Sequence, residues 1–194
     1  VIYKKRMLKA KQEYEKTKDP KLIREISRCH NIQRARKIAL NSAYGAVGNQ
    51  YFRYYDVRQA SGITTAGQFI IRFIETKVNE YLNRILQTHD KIDYIVASDT
   101  DSIYVTLDKL VEKTCEGKTN DQICNFIDKV VGSRIEPFLE KCFSELSDYT
   151  NAFKNCMVMK REVIADKGIW VAKKRYMLNV LDEEGVRLSE PKLK

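Results

Sequence analysis

The chain has 194 residues, of which 43% are hydrophobic and 31% charged, with 8 Gly and 3 Pro. That composition suits one sizeable soluble domain, or a domain with an appendage, and excludes collagenous or low-complexity character. The net charge is +9, and no apolar run approaches the length of a membrane span.

The charge is unevenly placed. Residues 1–48 hold 13 Lys+Arg and 4 Asp+Glu, so they carry the whole excess and the remainder is balanced. A polyanionic partner accounts for this: nucleic acid, nucleotide phosphate or an anionic membrane. A merely solvated lysine-rich hairpin accounts for it equally well. The five cysteines (Cys29, Cys115, Cys124, Cys142, Cys156) are odd in number and form no C-x-x-C pair. His30 and His89 complete no zinc-like spacing, so buried or neutral thiols in a reducing compartment are expected. The start, Val1-Ile2-Tyr3-Lys4-Lys5-Arg6, has no initiator Met and no secretory pattern. It reads as a helix cut in the middle, so a piece of a longer protein is expected.

Residues 1–17 have helix-forming composition. Asp19-Pro20 marks a turn with Pro in the first turn of a second helix, running from 21 to about 44 and ending near Gly45 and Gly48. The two helices make an antiparallel hairpin. The aromatic stretch Gln50–Tyr55 is expected to pack that hairpin onto the rest. Residues 60–87 read as a long amphipathic helix, through Ile63, Phe69, Ile70, Phe73, Ile74, Val78, Tyr81, Leu82 and Ile85. Residues 94–97 and 103–107 read as strands flanking the polar turn Ser98-Asp99-Thr100-Asp101-Ser102. Residues 119–148 read as helical. Strands over 156–164, 169–180 and about 185–190 finish the chain, with a turn at Asp182–Gly185. Helices and hairpins are segregated, which predicts an α+β fold with an antiparallel sheet packed by helices.

Three groups of residues could do chemistry. Asp99 and Asp101 sit close together at a hairpin tip. Such carboxylates repel unless a cation lies between them or a proton is shared, and oxygen ligands of this kind suit Mg²⁺. A bare D-x-D also occurs in ordinary acidic turns. Lys37, Asn41 and Tyr44 fall at i, i+4 and i+7, with Arg34 one turn earlier, so one helix face offers cations, an amide and an aromatic hydroxyl. The alternative is a solvated lysine and a core tyrosine. Lys173-Lys174-Arg175-Tyr176 falls within the 169–180 strand, where adjacent cations call for an anion such as a phosphate backbone or simply guard a sheet edge. Glu162 is expected to face the same site from the neighbouring strand.

Together these residues match a known family. Lys37-x-x-x-Asn41-Ser42-x-Tyr44-Gly45 resembles motif B of the family B DNA polymerases, and Asp99-Thr100-Asp101-Ser102 resembles their motif C. Lys173-Lys174-Arg175-Tyr176 resembles their K-K-R-Y motif. The intervening Ala46–Asp56 and Ile63-Thr64-Thr65 are especially similar to replicative polymerases of large tailed bacteriophages. The resemblance covers essentially the whole chain. It implies helical-hairpin fingers over 1–48 and the C-terminal portion of the palm over 49–194. It implies Asp101 as the catalytic metal ligand with Asp99 as its less essential neighbour, and Glu162 as a carboxylate near two Mg²⁺ ions, replaceable by Mn²⁺. Lys160 stands where some relatives carry Asp. Lys37, Asn41, Lys4 and Arg34 would face the incoming dNTP, and Tyr44 would pack at the nascent base pair. Lys173, Lys174, Arg175 and Tyr176 would hold the primer strand of a primer–template DNA. Motif A, with the other metal-binding Asp, is not among these residues, so a complementary upstream segment is the expected partner and the chain alone is expected not to polymerise. A cytoplasmic location without membrane contact is implied, the host cytoplasm for a phage protein. The rival expectations are a non-catalytic nucleic-acid-binding module, a reverse-transcriptase-like palm and a non-functional gene fragment.

Overall fold

The computed structural model describes residues 2–88 and 92–194; His89 lies outside the described residues. The fold is α+β. The chain divides into two compact units, Val1–Thr64 with Glu162–Lys194, and Thr65–Arg161.

The first unit opens with α1 (Ile2–Thr17) and α2 (Pro20–Val47). Asp19, in extended conformation, caps α2 by accepting the Lys21 N–H at 2.9 Å, and Pro20 takes the first helical position, where its missing N–H costs nothing. At the far end Gly48 donates its N–H to the Tyr44 and Ala46 carbonyls. The helices close as an antiparallel hairpin, with the Arg36 guanidinium over the Tyr3 ring at 5.1 Å and Arg6 paired with Glu25. Met7, Ala10 and Cys29 are buried in this unit. The aromatic stretch does not pack as expected. Tyr51 is 89% exposed and Tyr54 68%, in a run of successive backbone turns (Phe52 N–H to Asn49 O, Tyr55 N–H to Phe52 O).

The unit's sheet is a meander of β3 (Val163–Ala172), β4 (Arg175–Glu183) and β5 (Val186–Leu193). Two expectations are corrected here. Residues 156–162 lie before the first strand, and the expected 169–180 strand is two strands that turn back at Lys173-Lys174. That tip carries no Gly, Asn or Pro; Lys174 itself adopts φ 63. The β4–β5 turn falls where expected. Glu184 (φ 54) and Gly185 (φ 82) occupy it, the positive-φ pair that matches the twist of a tight hairpin. Asp182 is buried beneath, accepting the Gly185 N–H at 3.0 Å and lying 3.6 Å from Arg187 Nε. Within the same unit α1 meets this hairpin through Gln12 on the Gly185 carbonyl and Ser189 on Glu15.

The helix α3 (Val57–Leu86) begins in the first unit and continues into the second. The second unit then adds the β1 (Ile95–Asp99) and β2 (Ser102–Val105) hairpin, then α4 (Asp108–Thr114), α5 (Asn120–Val130), a π turn (Val131–Ile135) and α6 (Glu136–Tyr149). Its core is the four-residue stripe Ile74, Val78, Leu82 and Leu86 of α3 packed with Tyr94 and with Leu139, Cys142 and Phe143 of α6. Ile74 is 0% exposed; full burial of such an aliphatic side chain contributes about 1.5–3 kcal/mol. The helix expected over 119–148 is interrupted by the π turn, and the short α4 was not expected. Tyr81 stacks on Phe138 at 4.0 Å and donates its hydroxyl to the Arg134 carbonyl inside that turn.

Candidate active site

The acidic turn is built from α3 upward. Asn79 and Asn83, one helical turn apart, aim side-chain amides at the segment leading into β1. The Asn79 Oδ1 accepts the Tyr94 N–H at 2.8 Å and its Nδ2 donates to Asp93 Oδ1 at 2.8 Å. Asn83 accepts the Ile92 N–H at 3.0 Å and donates to the Ile92 carbonyl at 2.7 Å, mimicking a neighbouring strand. Thr88 and the Tyr94 hydroxyl extend the network. The sequence reading missed these residues. Their signal was two asparagines at i, i+4 inside a long helix, where Asn is a poor helix former without a partner.

Beyond the clamp, β1 pairs with β2 through Ser98↔Ile103 and Asp99↔Ser102, leaving Thr100 and Asp101 at the tip. Thr100 stands at φ 54, and the Asp101 N–H donates to the Asp99 carbonyl at 2.6 Å, a tight three-residue turn. The Thr100 hydroxyl donates to Asp99 Oδ1 at 2.9 Å, and the Ser102 hydroxyl to the Asp99 carbonyl at 3.1 Å. Asp99 is therefore half-buried and held, while Asp101 is exposed at the tip. Among the described residues no three His, Cys, Asp or Glu side chains gather as a cation cage. Two carboxylates nonetheless fit Mg²⁺, which takes one or two protein carboxylates and completes its shell with waters and substrate phosphates.

The other expected site residues lie in the first unit. Arg34, Lys37, Asn41 and Tyr44 are carried by unbroken α2 on one stripe, all exposed. Lys4, on α1, is ion-paired with Glu184 at 2.6 Å. Glu184, in the β4–β5 turn, donates its N–H to the Glu162 carbonyl at 2.6 Å, so the partner of Lys4 is bonded through its backbone to Glu162. The Glu162 and Lys160 side chains are exposed. Lys173 and Lys174 occupy the β3–β4 tip and Arg175 and Tyr176 begin β4, so the cations cluster at a hairpin end rather than along a central strand. The structure thus brings Lys4 to Glu184, whose backbone bonds to Glu162, and the four residues 173–176 to one tip; Asp99 and Asp101 belong to the other unit.

No described helix is long and apolar enough to cross a membrane. A sequence profile described as DNA polymerase family B matches residues 2–188. The chain is 47% identical over 169 residues to the DNA-directed DNA polymerase of Escherichia phage RB69, covering 82% of this chain and 19% of that protein. It is 45% identical over 169 residues to the DNA-directed DNA polymerase of Enterobacteria phage T4, with the same coverage of each. The chain therefore spans about a fifth of the length of these relatives. A match over nearly every residue, at that identity and with the acidic turn and the basic helix face in place, makes this chain a member of DNA polymerase family B.

Proposed function

We propose that the chain supplies the fingers hairpin (1–48) and the C-terminal palm portion (49–194) of a DNA-directed DNA polymerase acting in DNA replication in a host cytoplasm. The reaction is template-directed transfer of a nucleotide from dNTP to a primer 3′-hydroxyl. The observation that carries this reading is the Asp99–Asp101 turn, two carboxylates presented at a hairpin tip whose base is clamped to α3.

Asp101 and Asp99 would hold Mg²⁺, with Glu162 as a nearby carboxylate; when bound, the metal supplies Lewis-acid charge for phosphoryl transfer. The protein's own groups do the rest. Lys37, Arg34 and Lys4 balance charge on the triphosphate, Asn41 donates an amide hydrogen bond, and Tyr44 offers a ring to the new base pair. For Lys4 this means exchanging Glu184 for a phosphate. Lys173, Lys174, Arg175 and Tyr176 grip the primer backbone, which positions the strand without reading its sequence. The family's remaining metal-binding Asp would lie outside these 194 residues, on an upstream segment of the same protein or of a complementary chain, and these residues by themselves would not extend a primer.

The test is reconstitution with an upstream segment carrying motif A, followed by primer extension. Extension should appear only with both parts, and Asp101→Asn should abolish it; normal extension by Asp101→Asn would remove Asp101 from the catalytic set. A non-catalytic DNA-binding module is the alternative reading, consistent with the lack of a three-ligand cluster among the described residues. It predicts that Mn²⁺, in the presence of DNA and dNTP, leaves NMR signals around Asp101 unbroadened.

A further inference from the structure

Trp170 is the only tryptophan of the chain and lies on β3 just before the basic tip. It is paired in register with Tyr176 across the hairpin, and the two rings stack with centroids 6.4 Å apart and planes 29° apart. The indole also lies against the bare backbone of Gly168. A Cβ built there would lie 2.7 Å from both Cη2 and Cζ3 of the indole, and 2.8 Å from Cδ2 of Leu178, the residue opposite. No side chain fits under the indole, so Gly168 acts as its seat. Between Trp170 and Ala172 the register slips by one residue, a bulge immediately below the two-lysine tip. A tip with no Gly, Asn or Pro above a bulge has little local chemistry to fix its register. A stacked cross-strand aromatic pair can do so.

We propose that Trp170, seated on Gly168, is a positioning residue that fixes the Tyr176 ring and the register of Lys173, Lys174 and Arg175, so that these groups meet a duplex backbone as one set; this rests on reading the tip as a primer-strand contact. Trp170 acts through Tyr176 and touches no DNA itself. That separates it from the cations, whose effect is direct and salt-dependent.

The test is binding of the full 194-residue chain to a fluorescent primer–template duplex across a salt series, with thermal melting of every variant. Lys173→Ala/Lys174→Ala should weaken binding and flatten the salt dependence by about two phosphate contacts. Trp170→Leu should weaken binding about fivefold, the worth of a stacked aromatic pair, and the Trp170→Leu/Tyr176→Leu double variant should lose no more than Tyr176→Leu alone. Trp170→Phe, which keeps a stacking ring, should bind nearly as the parent does. Gly168→Ala should shift the emission of the single tryptophan and weaken binding. Adding Trp170→Phe to it should restore part of the binding: phenylalanine lacks the two indole atoms that a Cβ would strike, and the space they leave lets the Leu178 Cδ2 turn away from the third contact. The compensating pair keeps the test decisive should Trp170→Leu fail to fold. Parent-like binding by Trp170→Leu beside a weakened lysine variant would overturn the positioning role alone, as would failure of Trp170→Phe to rescue Gly168→Ala. Parent-like binding by the lysine variant would remove the tip as a DNA contact, and the role of Trp170 with it.

Discussion

Thr100 is a β-branched residue at φ 54, a backbone region that such residues rarely occupy. Holding it there costs about 1–3 kcal/mol, and the turn it makes places Asp101 at the tip while its hydroxyl holds the Asp99 carboxylate. Thr100→Gly should therefore be more stable than Thr100→Ala, which lacks the same hydroxyl but keeps the strained Cβ, by about 1 kcal/mol, and it should lower primer extension in the reconstituted enzyme because Asp99 is no longer held. Thr100→Ser, which keeps the hydroxyl, should retain most of the extension. A glycine variant no more stable than the alanine variant would show that the turn is unstrained. The cysteines follow their burial. Burial pushes the Cys29 and Cys142 thiols above their ordinary value, and Cys29 also donates to Glu25 Oε1 at 3.4 Å. A raised thiol pKa leaves less thiolate at any given pH. The stability linked to these thiols is thus whole below about pH 8.5, the unperturbed thiol value, and is lost as pH rises through their raised folded values. Exposed Cys156 should be alkylated first at pH 8, with Cys29 and Cys142 protected until the chain unfolds, as read by mass spectrometry of digested protein. The expectation of buried thiols holds for four of the five, a case where residue type alone predicts environment.

At the scale of elements, α3 does two jobs. Its Ile74–Leu86 stripe fills the core of the second unit, and its Asn79 and Asn83 hold the strand that leads to the acidic turn. The stripe is plain in the sequence because apolar spacing of three and four is a local signal. The clamp is not, because an asparagine's partner nine to fifteen residues away is chosen by the fold. Asn83→Ala leaves both the N–H and the carbonyl of Ile92 without this side-chain partner. It should lower stability by about 2 kcal/mol, within the range for unsatisfied buried groups, in urea titrations. It should also reduce extension more than the lost stability explains, since β1 is then free to shift; a change below about 0.5 kcal/mol would mean that water replaces the amide. The β3–β4 hairpin shows the opposite limit of sequence reading. Residues 169–180 carry continuous strand-forming character, so alternation alone extends one strand through them. Nothing at Lys173-Lys174 announces a turn, and cross-strand pairing of Trp170 with Tyr176 and Ala172 with Arg175 decides it.

For the whole molecule, the excess of positive charge in residues 1–48 coincides with the helical hairpin that bears Lys4, Arg34, Lys37 and Asn41. If these groups serve the nucleotide and the β3–β4 tip serves the primer, the two sets should separate kinetically. In the reconstituted enzyme Lys37→Ala should lower kcat/KM for dNTP by about tenfold or more, as expected for loss of a charge-assisted contact, while leaving primer–template affinity and its salt dependence unchanged. An equal loss in duplex binding would assign Lys37 to DNA instead. The sequence by itself determined the α+β class, the helical hairpin with its Asp19-Pro20 start, the acidic hairpin tip and membership of the family, because caps, periodicity and motif spacing are written within a few residues of one another. Only the tertiary structure decided that Lys173 and Lys174 form a tip, that Asn79 and Asn83 anchor the acidic turn, and that Lys4 meets Glu184 beside Glu162. Each of these depends on which distant backbone a side chain meets once the elements pack, a choice made by the shared burial of many residues rather than by the local sequence.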